Sequence, residues 1–189
     1  MKRALFVLTA LLLGACGSTQ ATMSPNPTPS IQDCSSIISA RTVSTPSTGD
    51  TALPDVEVEC LQGTTTINLS HLRGPMLISV WASWCEPCAA EMPLMQQFQS
   101  SHPEEVLVLG LAMMDETSQA IEGSFNWGVN LPSLEDPDGV LRSSLNVQAP
   151  PTTLFIDKDG RIVFRKIGAF SSVQEIETLV EDHLGALAS

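Results

Sequence analysis

Two uninterrupted apolar runs lie in the middle of the chain. Met76 to Ala82 reads MLISVWA, and Val106 to Met113 reads VLVLGLAM. Neither alternates, so each predicts a central strand covered on both faces. Upstream, Val56 to Cys60 and Thr64 to Leu69 flank Gly63 and predict a hairpin. Pro87 to Gln99 reads as a helix, with a kink expected at the internal Pro93. Thr117 to Trp127 is a second helix, and Asp138 to Leu145 a short third. Thr152 to Asp157 and Arg161 to Lys166 are strand-like and flank Lys158-Asp159-Gly160, a hairpin turn. The closing helix starts at Ser172 with Glu175 three residues on, the pattern of a capping box. Val173, Ile176, Leu179, Val180 and Leu184 then recur at helical spacing. The order predicts an α/β fold: a mixed central sheet flanked by helices, with an N-terminal β-hairpin.

The first fifty residues follow a different pattern. Lys2 and Arg3 precede an apolar run, Ala4 to Leu13, broken only by Thr9. At about 10 residues it falls short of the roughly 20 that span a bilayer, so it reads as the apolar core of an export signal. Leu13-Gly14-Ala15-Cys16 resembles a bacterial lipobox, in which cleavage leaves a lipidated cysteine at the new N-terminus. Two acyl chains there anchor stably where one is marginal. The competing reading is ordinary secretory cleavage near Ala15, with Cys16 incidental. The expected organisation is a signal peptide over 1–15, a lipidated tether and N-terminal arm over 16–53, and one domain over 54–189. Gly17 to Ser30 is rich in Ser, Thr and Pro, as in flexible tethers. Ile31, Ile37 and Ile38 give the next stretch something to pack, and 41–53 returns to linker composition.

Charge narrows the partners. The chain carries 9 basic and 21 acidic residues, a formal charge of −12, and loss of Lys2 and Arg3 with the signal makes it −14. Phosphate backbones demand a positive face, so nucleic acid is excluded as a partner. Five cysteines are present: Cys16, Cys34, Cys60, Cys85 and Cys88. With Cys16 lipidated, four remain, and disulfides persist outside the cytoplasm. Cys85 and Cys88 form one natural pair, leaving Cys34 and Cys60 as a structural disulfide that staples the arm to the domain. Two buried free thiols are the alternative.

The Cys85-Glu86-Pro87-Cys88 motif follows a predicted strand and opens a predicted helix. Free N–H groups and the helix dipole favour a negative charge on Cys85 there, which lowers its pKa, and the thiolate is the attacking species. Cys88, one turn in, is shielded but close enough to resolve a mixed disulfide. Pro87 suits a first helical turn. A zinc site would need two more ligands at similar spacing. His71, His102 and His183 are scattered, so no metal site is expected. A merely structural Cys85–Cys88 bond would close a tiny loop and stabilise little. Met113 and Met114 end a strand near the same edge and are expected to fill core.

Trp81-Ala82-Ser83-Trp84-Cys85-Glu86-Pro87-Cys88, followed by Glu91-Met92-Pro93, resembles the thioredoxin superfamily. More narrowly it is similar to the extracytoplasmic, membrane-anchored TlpA/ResA/DsbE branch. Pro150-Pro151-Thr152-Thr153 stands where that branch has its cis-proline loop, and 53–187 is the span of the likeness. The resemblance implies a thiol–disulfide oxidoreductase with Cys85 as nucleophile and Cys88 as resolving thiol. It implies no cofactor beyond the redox-active disulfide. Pro151 would be the cis-proline, and Pro150 would offer its backbone to a substrate peptide, though having proline there removes one N–H from the loop. Trp84 would face partners and Trp81 the core. Thioredoxins often bury an Asp on the strand beneath the cysteines, and the matching residue here is Ser79. Glu91, three residues past Cys88 on the same helical face, is the candidate proton shuttle, with a solvated helix carboxylate as the alternative. Glu86 beside Cys85 disfavours the thiolate and thereby favours a reductant. Expected partners are disulfides of exported proteins, apocytochrome c among them, and a membrane thiol electron donor. An extracytoplasmic oxidant, and a thioredoxin-scaffold docking or metallochaperone lipoprotein, remain open beside this reading.

Overall fold

The computed structural model describes residues 31–187. The expected signal peptide, Cys16 and the 17–30 tether lie outside the described residues. The elements are α1 (Ser35–Arg41), β1 (Glu57–Cys60), β2 (Thr66–Asn68), a 3-10 turn (Leu69–His71), β3 (Met76–Trp81), α2 (Glu86–Ser101), β4 (Leu107–Met113) and α3 (Thr117–Asn126). They continue with β5 (Ser133–Asp136), α4 (Leu141–Ser144), β6 (Thr152–Ile156), β7 (Ile162–Ile167) and α5 (Val173–Leu184).

The strands form one mixed sheet in the order β2-β1-β5-β4-β3-β6-β7. β3, β4 and β5 run parallel, and the remaining pairs are antiparallel. The two apolar runs became β3 and β4 at the centre, in register from Met76 opposite Leu107 to Trp81 opposite Ala112. Every residue of β3 is buried, as expected of a strand with a core on each side. On one side, α2, α3 and α5 supply Met92, Met95, Phe98, Ala120, Ile176 and Val180. On the other, α1 supplies Ile37 and α4 with its C-cap supplies Leu141 and Leu145, together with side chains of the β1–β2 hairpin. Gly110 on β4 keeps the sheet open where Trp81 crosses it: a Cβ there would come within 2.7 Å of Trp81 Nε1 and closer still to Ser133 Oγ.

Three differences from the sequence reading have physical causes. β5 was not expected, because SLED is short and ends in acids; its Asp136 instead caps the next turn, accepting from Val140 N and Leu141 N at 2.9 Å each. That cap shortens the expected Asp138–Leu145 helix to Leu141–Ser144. Residues 41–53 do not behave as a free linker: Val43 N donates to His71 O, Ser47 N to Ser70 O and Leu53 N to Gly160 O, and the Leu53 side chain is buried. The segment is polar in composition because it docks through its backbone, which composition does not report.

Cys34, the N-cap of α1, is joined by a disulfide to Cys60, the last residue of β1, with Cα atoms 6.1 Å apart. Both are buried, beside the buried Ile37. Closing a 26-residue loop is worth about 3 kcal/mol in the loop-entropy treatment. A Cys34→Ser/Cys60→Ser variant is therefore expected to lose about 3 kcal/mol in urea unfolding while keeping its thiol–disulfide activity. An unchanged midpoint would mean that the bond contributes nothing to holding the arm.

Candidate active site

β3 delivers the chain to the site and α2 receives it. Cys85 is the N-cap of α2, in extended conformation, with Pro87 in the first turn. Its Sγ accepts the Cys88 N–H at 3.3 Å. The same N–H is shared with Cys85 O at 3.0 Å, and together with the other donors of the first turn it directs the positive end of the helix toward the Cys85 sulfur. Cys85 and Cys88 are joined, with an S–S distance of 2.04 Å and Cα atoms 5.2 Å apart, so the described state is the oxidised one. Cys88 is fully buried, while Cys85 retains a sliver of exposure. Of the two cysteines, the one at the helix tip is the less buried. Glu86 is exposed in the first turn. The helix runs on through Pro93 without ending.

The loop before Cys85 is clamped from the turn that follows β4. The Asp115 carboxylate accepts from the Ser83 N–H and, at 2.8 Å, from the Ser83 hydroxyl. Trp84 Nε1 donates to Met114 O at 2.9 Å, so the exposed indole is fixed as a wall beside the disulfide. Trp81 is buried against the edge of Trp127. Met113 fills core as expected, but Met114 does not: it adopts φ 55° and turns outward beside Gly139. The Asp115 clamp was missed in the sequence, where the one available signal was an acid directly after a buried run.

Pro151 is cis to Pro150, and Gly74–Pro75 is cis as well. Thr152 pairs with Val80, so the Pro150-Pro151 loop stands at the end of β3 from which the Cys85 loop departs. Pro151 is buried and Pro150 half-buried. Pro151 O accepts the Gly168 N–H at 3.0 Å, so that carbonyl is already engaged within the chain.

Glu91 is not a solvated helix carboxylate. It is 1% exposed, on the face of α2 that also carries Cys88 and Met92. Its Oε1 accepts from the Ser79 hydroxyl at 3.3 Å and its Oε2 from the Phe170 N–H at 3.0 Å. Burial pushes its pKa up to about 7, against the Phe170 N–H, the Ser79 hydroxyl and the charge of Lys166, with Glu175 adding to the rise. Desolvation wins because two neutral donors do not replace the hydration of a full charge. Among the described residues no cluster of His, Cys, Asp and Glu is arranged to hold a metal ion.

The family model of the Redoxin family matches residues 47–180. The thiol-disulfide oxidoreductase ResA of Bacillus anthracis is 32% identical over 117 residues, covering 61% of this chain and 67% of that protein. The DsbE homolog of Paracoccus denitrificans, a thiol:disulfide interchange protein, is 34% identical over 118 residues, covering 61% of this chain and 64% of that one. A solved secreted thiol-disulfide isomerase from Corynebacterium glutamicum superposes with a TM-score of 0.60 at 26% identity, covering 71% of this chain and 84% of that one. The chain belongs to the Redoxin family, with the thioredoxin-like fold and the activity of a thiol–disulfide oxidoreductase.

Proposed function

We propose that this chain is a lipid-anchored reductant on the extracytoplasmic face of a bacterial membrane, held there through Cys16. It would pass electrons from Cys85 and Cys88 to disulfides of exported proteins, apocytochrome c among them, and be recharged by a membrane thiol donor. The observation that carries the exchange chemistry is the Cys85–Cys88 disulfide at the α2 N-terminus, with Glu91 buried on the same helix face as Cys88 and raised toward neutrality. A carboxyl titrating near the working pH can take a proton in one step and return it in another. The exposed Glu86 next to Cys85, which disfavours the thiolate, supports the direction.

The reaction starts from the dithiol. The Cys85 thiolate attacks one sulfur of the substrate disulfide, forming a Cys85–substrate bond and expelling the other substrate sulfur as a thiolate, which takes a proton from solvent. Glu91, as carboxylate, accepts the proton of the Cys88 thiol. The Cys88 sulfur then attacks Cys85 and releases the second substrate sulfur as a thiolate, which is protonated in turn. Two electrons have moved to the substrate, and Cys85–Cys88 is left as a disulfide. Trp84 and the Pro150-Pro151 loop would flank the incoming peptide, with Pro150 contributing its carbonyl.

The reduction potential of the Cys85–Cys88 couple tests the direction, measured on a soluble form beginning near residue 31. A value of about −230 mV or lower is expected, in the range from glutaredoxins down to thioredoxin. The reduced protein should then reduce an oxidised peptide carrying the Cys-x-x-Cys-His pair of an apocytochrome. A value near −120 mV, that of a strong oxidant, would overturn the proposal and reverse the electron flow.

A further inference from the structure

Glu91 receives one donor from β3 and the other from the turn after β7, and that turn belongs to neither a strand nor a helix. It is fastened at every residue. The Gly168 N–H donates to Pro151 O at 3.0 Å. Gly168 O and Ala169 O both accept from Lys166 Nζ, at 3.3 and 3.1 Å. The Phe170 N–H donates to Glu91 Oε2. The N–H and hydroxyl of Ser171 both donate to Glu175 Oε2 at 2.8 Å. Lys166 Nζ also lies 3.5 Å from Glu175 Oε1 and 5.1 Å from the centre of the Phe170 ring. One ammonium group thus holds both carbonyls before Phe170, the ring of Phe170, and the carboxylate that holds the residue after it.

The sheet brings this lysine to the site. Lys166 is in register with Thr153, and Thr153 with Ser79. In-register neighbours emerge on one face, so Ser79, Thr153 and Lys166 form a polar row across β3, β6 and β7. The next row on that face, Leu77, Phe155 and Phe164, is apolar and packs with the α2 and α5 core. On the helix above, Glu91 bonds the Ser79 end of this row, while the buried Thr153 hydroxyl between the two has no hydrogen-bond partner among the described residues.

We propose that Lys166 is a positioning residue for Glu91: it holds the Gly168–Ser171 turn so that the Phe170 N–H meets the carboxylate, and it faces that carboxylate with a positive charge. The inference rests on the reading of Glu91 as the proton-handling group. The charged groups facing Glu91 are Lys166 from β7 and Glu175 from α5, and the uncharged donors are the Ser79 hydroxyl and the Phe170 N–H. Removing Lys166 takes away the cation that faces it among the described residues, loosens one donor and leaves Glu175 unopposed. All three changes favour the neutral acid.

The test is the titration of the Glu91 carboxyl in the oxidised protein, followed by carbon NMR of the side-chain carboxyl in wild type, Lys166→Met, Lys166→Gln and Lys166→Arg. Both neutral variants are expected to raise the midpoint by about one unit, the low end of what a nearby opposite charge exerts. Turnover at pH 7 should fall about fivefold, because fewer molecules carry the carboxylate. Lys166→Arg should keep the wild-type midpoint, which a role in packing alone would not require. A wild-type midpoint near 7 that neither neutral variant moves overturns the role of Lys166 and leaves that of Glu91 standing. A wild-type midpoint near 4.5 removes the Glu91 reading itself, and with it this inference.

Discussion

A Cys88→Ser protein is expected to react once with a disulfide substrate and then stop. Cys85 keeps its place at the α2 N-terminus and the donor that favours its thiolate, because the Cys88 N–H belongs to the backbone and survives the substitution. Attack therefore proceeds, and the mixed disulfide forms. Its release in the wild type comes from a thiol one helical turn away in the same rigid element, with Cα atoms 5.2 Å apart. Well-oriented intramolecular groups act at effective concentrations of about 10⁵ M or more, whereas an external thiol is present at millimolar levels. Turnover should fall by at least about a thousandfold, and a covalent adduct of protein plus substrate should accumulate, visible by mass spectrometry and cleaved by dithiothreitol. Cys85→Ser should lose turnover equally but trap nothing, because the remaining Cys88 sulfur is buried. An adduct on Cys85→Ser would exchange the two roles, and normal turnover in Cys88→Ser would remove the resolving step.

The parts of this site that could be read in advance are those whose determinants are local. Cys85 at a helix cap follows from an apolar run ending at Ala82 and a proline two residues past the cysteine. The α5 start follows from Ser172, whose hydroxyl accepts the Glu175 N–H at 3.2 Å, although the returning Glu175 carboxylate takes Ser171 and not Ser172. The central sheet was legible because β3 and β4 are long, nearly unbroken apolar runs, and the β6–β7 hairpin because of its turn. What was illegible is contributed by residues distant in sequence. Asp115 lies 32 positions from Ser83, and Phe170 lies 79 from Glu91. Neither has a local pattern, since a carboxylate clamping a backbone N–H looks in sequence like any surface acid. The same holds for Lys166, whose place over the site is set by strand register, and for the 41–53 segment, whose docking uses backbone groups every residue has. Glu91 is intermediate: its helical face was evident from spacing to Cys88, but its burial depends on Phe170 and α5 closing over it.

Glu91→Gln carries the second large expectation, and it has two independent readouts. Burial lifts the carboxyl from 4.5 to about 7. Between those values the folded protein holds a proton that the unfolded chain has released. The stability linked to this group is therefore fully present below about pH 4.5 and is lost as the pH rises through about 7. The shift corresponds to about 3 kcal/mol, so the oxidised wild type should lose about that much relative to Glu91→Gln between pH 4.5 and pH 8, as read by urea unfolding at each pH. The glutamine variant has no proton to lose and should lack this slope. Catalysis should move in the opposite sense. Glu91 must be ionised to accept the Cys88 proton, so the rate of the resolving step in the wild type should rise with pH through about 7. In Glu91→Gln that inflection should vanish and the step should slow by about a hundredfold, the low end of what a positioned general base supplies. The two outcomes belong together because they come from one fact: a charge placed where the fold does not welcome it is costly to keep and therefore readily takes up a proton. A variant that loses the stability slope but keeps the wild-type rate profile would leave Glu91 as a buried acid of structural consequence only, and the proton of Cys88 would need another acceptor.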